Sequence, residues 1–450
     1  MAQEAIYSKY ETIQPNSRTV LYEGELSIVL NNVASSCSGR IVLSLRTSPQ
    51  VTFEIQCPIV GTAAPLKLND KITIELPNSS GKGIGTVSGW NFLSPEHTIP
   101  AFTGSLDKAF ETGDFVAINM LQFLVPNFPN YLGSPVTRNG GVTASRMTVN
   151  SGEWIIELEE VAAYLENEQA LKEDGGFAIT HIGRVHRVDG KSISYKSAEK
   201  LTNVLHWWLS FVRGERTGPV LIAGIHKEEV VWERWQAPVV HSWLDDRSWL
   251  PTRTPIDETI AGTHALGALF HYLFALQNDE REFDALNRAI DWYTQSIHER
   301  HIGPMTILAQ AGIELLTWQT LVHDGRISEE GFKKLSAADQ LRMALSLAKI
   351  DPRVPTSLKS LRQAASKSKT YQVEVDGPGT VTEIRNATVH PKRKERFDDP
   401  HVMIQGGLLA IHYLELLILH RSGYQGRAMD RTDFDKPAST VSWVNVEKST

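Results

Sequence analysis

Cysteine is almost missing from this chain: Cys37 and Cys57 are the only two in 450 residues. Two thiols build neither a disulfide scaffold nor a four-thiolate zinc site, so a reducing cytoplasm is the expected compartment. The opening stretch, "MAQEAIYSKYETIQPN", lacks the apolar core of a signal peptide. No apolar run reaches the ~20 residues that a bilayer demands. The nearest, "GGLLAIHYLELLILH" at 406–420, carries His412, Glu415 and His420 and reads as a buried helix, with no membrane as partner. A nucleotide cradle is also missing. "SSGKGIGT" resembles a phosphate loop, but Leu76 stands where its first glycine belongs and Gly83 replaces the hydroxyl residue after the lysine. There is no G-x-S-x-G elbow. His298 and His301 lie three apart with no third ligand nearby, and His181 and His186 fall at odd separation in an alternating run, so they face opposite sides of a strand. No metal and no cofactor are expected.

Excess positive charge is lacking overall, since the formal net charge is −7. It is present locally. Residues 331–400 hold 14 Lys+Arg against 8 Asp+Glu, a balance of +6 that leaves −13 for the remainder. An anionic partner would meet the chain there.

The pattern changes midway. Up to about residue 240 the chain reads as short alternating runs, among them "GELSIVL", "GRIVLSL", "QVTFEIQ" and "DKITIEL". Asp189-Gly190 between "GFAITHIGRVHRV" and "KSISYKS" signals a hairpin, and "EKLTNVLHWWLSFVRG" a single helix ending at Gly214. With no βαβ rhythm, an antiparallel sandwich-like sheet is expected. From about 255 the period becomes helical. Leu308, Ala311, Leu315, Trp318 and Val322 recur at steps of three and four, and a bundle of ~170–180 residues follows. The expected fold is therefore α+β with two domains: a β-rich part over 1–250, an all-α bundle over 251–430 and a tail over 431–450. Trp207, Trp208, Trp232, Trp235, Trp243 and Trp249 crowd the junction. They read as an inter-domain seam, or else as a stacking platform for bases.

Two polar features stand out among the helices. Glu314, inside "AGIELL", is a carboxylate on an apolar helix; it needs a partner in the fold, or it orients a nearby arginine or histidine. The second is "EIRNATVHP" at 383–391. Asn386 and His390 are four apart, Arg385 is beside Asn386, and Pro391 ends the helix at about His390. A helix C-terminus favours the protonated imidazole and a neighbouring arginine the neutral one, an opposition suited to moving protons. Arginine offers a planar fork matched to phosphate. Lys392, Arg393, Lys394 and Arg396 follow at once. A proton-transfer group, a phosphate clamp and a cationic strip together suit phosphodiester chemistry; capping groups and surface salt bridges are the structural alternative.

The string R-N-x3-H-P within a helical bundle resembles the R-x(4–6)-H signature of the HEPN superfamily, and "AGIELLTWQTLV" is similar to a helix of its ApeA-like and abortive-infection members. The likeness covers about residues 260–425. It implies a metal-independent endoribonuclease, with tRNA among the targets, serving antiviral defence or toxin-like growth arrest. Arg385, Asn386 and His390 would be its catalytic set and Lys392, Arg393, Lys394 and Arg396 its RNA contacts. It further implies a homodimer or higher homo-oligomer with a composite site, restrained by the β-rich half until a phage-derived or small-molecule trigger arrives. The alternative is a catalytically silent HEPN module that dimerises or binds RNA or nucleotide. A carbohydrate- or peptide-binding β-domain on a helical oligomerisation unit is a third reading.

Overall fold

The computed structural model describes residues 2–10, 12–56, 66–77, 81–91, 101–131, 133–244, 256–367, 375–390, 397, 399–424, 427–432 and 440–442. The chain is α+β in two parts. One compact unit comprises Met1–His206 and Thr217–Asp245, the other Trp207–Arg216 and Asp246–Thr450.

In the first unit the strands run β1 (Gln3–Glu4), β2 (Arg18–Leu30), β3 (Val33–Ser44), β4 (Gln50–Gln56), β5 (Lys71–Glu75), β6 (Lys82–Asn91) and β7 (Ala101–Leu106). They continue as β8 (Phe110–Gly113), β9 (Met120–Pro126), β10 (Ser134–Arg138), β11 (Gly141–Ser151) and β12 (Trp154–Glu160). Helix α1 (Tyr164–Asp174), β13 (Ile179–Arg187), helix α2 (Tyr195–Arg213), which belongs to the second unit from Trp207 on, β14 (Val220–His226) and β15 (Glu229–Trp235) complete the series. The sandwich expectation gives way to two different sheets. Strands β2-β3-β4-β7-β6-β5 close into a barrel, and β1-β10-β11-β12-β13-β9-β14-β15-β8 form a nine-stranded sheet.

Closure follows from side-chain size. Phe53 fills the barrel because Gly85 and Gly104 leave room for it: a Cβ on Gly104 would lie 2.3 Å from the Phe53 ring. Gly85 of the phosphate-loop look-alike thus serves packing, and Gly83 makes the same room for Phe110. Ile41, Leu43, Ile55 and Ile74 are fully enclosed with Phe53. Cys37, on β3, is buried and disulfide-bonded rather than a free thiol.

The predicted hairpin after Asp189-Gly190 does not form. Ser194 caps α2, accepting from the Ser197 N–H at 3.2 Å, so "KSISYKS" is a helix start with one isolated bridge from Ile193 to Ile118. Further along, a tight hairpin joins β14 to β15 through Lys227 and Glu228, both at positive φ. His181 and His186 do face opposite ways: His181 is enclosed by Phe128, Tyr131 and Tyr164, whereas His186 is half-buried.

The second unit is helical: α3 (Ile256–Leu276), α4 (Glu280–His298), α5 (Ile302–Trp318), α6 (Glu329–Lys334), α7 (Ala337–Leu347), α8 (Lys359–Ser366), α9 (Gly377–Val389) and α10 (Pro400–Arg421). Helix α5 runs on into a π-turn, Gln319–His323. Helix α10 is the axis, packed by α4, α5, α7, α8 and α9. At 22 residues it exceeds the stretch expected from the sequence and is long and apolar enough to cross a membrane, yet most of it is buried inside the protein.

The apolar stripe on α5 is a different one from that expected. Thr306, Ala309, Ile313 and Leu316 are buried, while Leu308, Ala311, Leu315 and Trp318 are only half-buried. Small residues select the face: a Cβ on Gly312 would lie 2.7 Å from Leu414 of α10, so the helices meet there.

Trp208 is buried edge-on to Phe270 and donates to the Leu266 carbonyl at 3.2 Å, and Arg216 covers the Trp207 ring. Trp235 stacks on Phe110, and Trp232 meets Phe115 edge-on. Trp249 lies outside the described residues.

The tail expected from residue 431 begins within the core instead. Strands β16 (Arg427–Met429) and β17 (Thr440–Ser442) pair antiparallel, and Thr432 is buried. Arg431 reaches the wholly buried Glu415 of α10, whose carboxylate also accepts from the Tyr293 hydroxyl at 2.6 Å. This is the buried carboxylate that Glu314 was expected to be. Glu314 is exposed, because the face of α5 that packs is the one bearing Gly312 and Ile313.

Candidate functional site

Helix α9 starts on a strong cap. The Asp376 carboxylate accepts from the Gly379 N–H at 2.7 Å and is gripped by the Arg342 fork at 2.8 and 3.2 Å, with Pro378 in the first turn. Gly377 permits the approach of α10, since a Cβ there would lie 2.1 Å from the Tyr413 hydroxyl. Val381, Ile384 and Ala387 form the buried face. Ile384 occupies the space left by Gly406: a Cβ on that glycine would sit 2.2 Å from its terminal methyl. Thr388 abuts Gly303 of α5 in the same way, at 3.0 Å.

Docking that face sends the polar residues outward. Arg385 and Asn386 are half-buried and His390 is exposed. Arg385 Nη1 donates to Asn386 Oδ1 at 3.3 Å, and Arg385 has no carboxylate partner among the described residues. By contrast Arg342, Arg421 and Arg431 in this unit all pair with carboxylates. An unpaired guanidinium keeps its donors for an incoming anion.

His390 departs from the expected helical face. It closes the helix in extended geometry, φ −114° and ψ 108°, as a residue before proline should. Its backbone N–H still donates to the Asn386 carbonyl at 2.9 Å. The imidazole makes no hydrogen bond among the described residues. So the three residues occupy one helix end, with the histidine held there through its backbone and its ring facing solvent. Glu314 has no ion pair or hydrogen bond among the described residues and does not orient this group. Lys392, Arg393, Lys394 and Arg396 lie outside the described residues.

A second polar cluster was not anticipated. His323 Nδ1 lies 3.2 Å from Glu282 and 3.6 Å from Asp324, near enough together to frame a cation. Arg421 already fills that place, reaching Glu282 at 2.8 Å and both oxygens of Asp324 at 3.1 and 3.2 Å. Burial alone would lower the Arg421 pKa, but the Asp324 and Glu282 carboxylates raise it instead. The cluster is an ion-pair clamp tying the starts and ends of α4, α5 and α10. It stands apart from Arg385, since the 15 steps along α10 from Gly406 to Arg421 span about 22 Å. Only the i, i+1 pair His323-Asp324 was visible in sequence; the π-turn that presents it was not.

Two family models match the chain, the YopA central domain over residues 113–245 and the YopA C-terminal domain over 279–443. A curated relative, the SPbeta prophage-derived uncharacterized protein YopA of Bacillus subtilis (strain 168), is 30% identical over 444 residues, covering 96% of this chain and 95% of its own. No solved structure matches.

Proposed function

The chain belongs to the YopA family, and we propose that it is a metal-independent endoribonuclease of the HEPN type acting at Arg385, Asn386 and His390. One observation carries the reading: Arg385, free of any carboxylate among the described residues, stands on the same solvent-facing helix end as His390.

In the reaction the 2′-hydroxyl of the RNA attacks its own phosphate as it loses a proton. A pentacoordinate phosphorus forms and the bond to the 5′-oxygen breaks, leaving a 2′,3′-cyclic phosphate and a protonated 5′-hydroxyl. His390 transfers a proton, Arg385 stabilises the charge on the phosphoryl oxygens, and Asn386 orients the phosphate. Attack and departure need two proton-transfer groups, while one copy of the motif offers one histidine. A two-fold homodimer supplies the second. Lys392, Arg393, Lys394 and Arg396 hold the RNA backbone with little sequence preference. Restraint by the β-rich unit and a role in antiviral defence or growth arrest belong to the same reading, in the cytoplasm.

The test is expression in a bacterium with RNA end sequencing. Growth arrest and new RNA ends are expected from the wild-type chain and lost in Arg385→Ala and His390→Ala. RNA ends that persist in both variants sink the assignment. A second reading rests on the solvent-facing His390 ring, which no described side chain orients: a silent module that binds RNA without cutting it. Its signature is salt-dependent RNA binding by purified protein with the RNA recovered intact.

A further inference from the structure

We propose that Arg300, His301 and His401 extend the Arg385–His390 end of the helical unit into a phosphate-binding surface, which holds the RNA strand on either side of the phosphate engaged by Arg385. The inference rests on RNA as the ligand of that end, but not on its being cut.

Helix packing brings these residues to one level. Between α5 and α9, Gly303 lies against Thr388 and Gln310 Nε2 donates to Thr382 Oγ1 at 3.4 Å. One number rises as the other falls, so the two helices run antiparallel. His390, two residues past Thr388, therefore stands level with His301, two residues before Gly303. Between α9 and α10, Ile384 fills the space at Gly406 and Gly377 meets Tyr413, again an antiparallel match. Six residues beyond Ile384 is His390, and six before Gly406 is Pro400, with His401 next. Helices α5 and α10 run parallel, Gly407 receiving Met305 and Gly312 receiving Leu414. Three mutually packed helices thus carry three histidines to one end, on axes about 8–10 Å apart. Arg385 borders the same seam, because Thr382 and Thr388, three residues to either side of it, both touch α5.

These groups are unspent. His301, His390 and His401 are exposed, and each is fixed through its backbone. Their N–H groups donate to Glu299 at 2.8 Å, to the Asn386 carbonyl at 2.9 Å and to Asp399 at 2.9 Å respectively. The three rings make no hydrogen bond among the described residues. Arg300 is exposed and has no ion pair among the described residues. The nearby carboxylates in sequence, Glu299 and Asp399, each accept from one of those backbone N–H groups. Helices α5 and α10 both begin at this end, so two positive dipole ends face one negative end from α9.

Charge decides the ligand. Two guanidinium groups and two helix N-termini disfavour a metal ion. Among the described residues, the three potential ligands close enough to share such an ion are at His323, not here. An anion is favoured instead, since imidazole N–H groups and guanidinium forks donate to phosphate oxygens. Donors spread over three helix ends suit successive phosphates of a strand better than a single one.

The experiment uses the full chain and a fluorescein-labelled single-stranded RNA methylated at every 2′-oxygen, which lacks the attacking hydroxyl and stays whole. Binding is read by anisotropy. His301→Ala and His401→Ala should each weaken it about three- to tenfold. Arg300→Ala should also flatten the plot of log affinity against log salt by about 0.7. His271→Ala removes an exposed histidine of α3 next to Tyr272, which faces Arg421 at the far end of α10, and should bind as the wild-type chain does. The proposal is overturned if the wild-type chain does not bind this RNA. It is equally overturned if His301→Ala and His401→Ala, with wild-type circular dichroism, bind as tightly as wild type, or if His271→Ala weakens binding as much as they do. Cleavage is judged separately on unmethylated RNA. A chain that needs His301 and His401 for binding yet leaves that RNA whole keeps the surface and loses the nuclease.

Discussion

Arg431 and Arg385 belong to the same helical unit, yet their surroundings differ in kind. Arg431 meets Glu415 and the Tyr293 hydroxyl in the core, and its donors are spent there. Arg385 rests on an asparagine amide at a half-buried helix end, and no carboxylate among the described residues claims it. A guanidinium matched to a buried acid keeps the fold intact. One left without an acid beside an exposed histidine is available to a substrate anion. The contrast separates residues whose loss should cost stability from residues whose loss should cost activity.

The largest effect that would break this contrast concerns Arg385 and His390. Either alanine variant should slow RNA cleavage by about 10²–10⁴-fold, the usual worth of a proton-transfer or charge-stabilising group. Unfolding in urea should stay within about 0.5 kcal/mol of wild type, as for other solvent-facing positions. A drop in stability that matched the drop in cleavage would place these residues with Arg431 instead.

Next comes Arg431→Ala, which strands the Glu415 carboxylate in the core and should cost about 3–5 kcal/mol in urea unfolding. Adding Glu415→Gln should recover part of that loss, since a neutral amide has less to lose on burial. If Arg431→Ala were as mild as Arg385→Ala, the buried pair would have no claim to a structural role.

A pH series sharpens the same point. His412 lies one turn before Glu415, and burial pushes its pKa down to about 4 against the ordinary 6.5, with Asp430 opposing that shift and Arg431 adding to it. The unfolded chain therefore binds this proton first as pH falls. The stability that His412 contributes is full above pH 6.5 and disappears as pH drops through about 4, about 3 kcal/mol in all. His412→Met should flatten the acid limb of a stability-versus-pH curve across that window by about one proton. His181, pushed to about 3 by its own burial, leaves a residual slope from the β-rich unit.

Which of these features could be read in advance follows a physical rule. Local signals were legible. The change from alternating to helical period distinguished a β-rich part from a helical one, and Pro391 ended α9 at Val389 with His390 extended. Odd spacing put His181 and His186 on opposite faces. Features made by distant partners were not. Barrel closure depends on Gly85 and Gly104 making room for Phe53, and Arg431 finds Glu415 only after the chain has turned back past α10. On α5 hydrophobicity alone misled, because the helix is apolar on several sides and the small residue Gly312 decided which side met α10.

Glu314 is the smallest test and follows from that last point. Hydrophobic neighbours in sequence suggested a carboxylate in need of a partner, but the packed face of α5 leaves it exposed. An exposed carboxylate keeps its water and owes the fold nothing, so Glu314→Gln should change stability by less than about 0.5 kcal/mol. It makes no hydrogen bond or ion pair with Arg385 or His390, so cleavage should also stay at the wild-type rate. A loss of cleavage without a loss of stability would mean that Glu314 reaches the site only in an assembled dimer. The orienting acid would then come from the second copy of the chain, as the reading proposes for the second histidine.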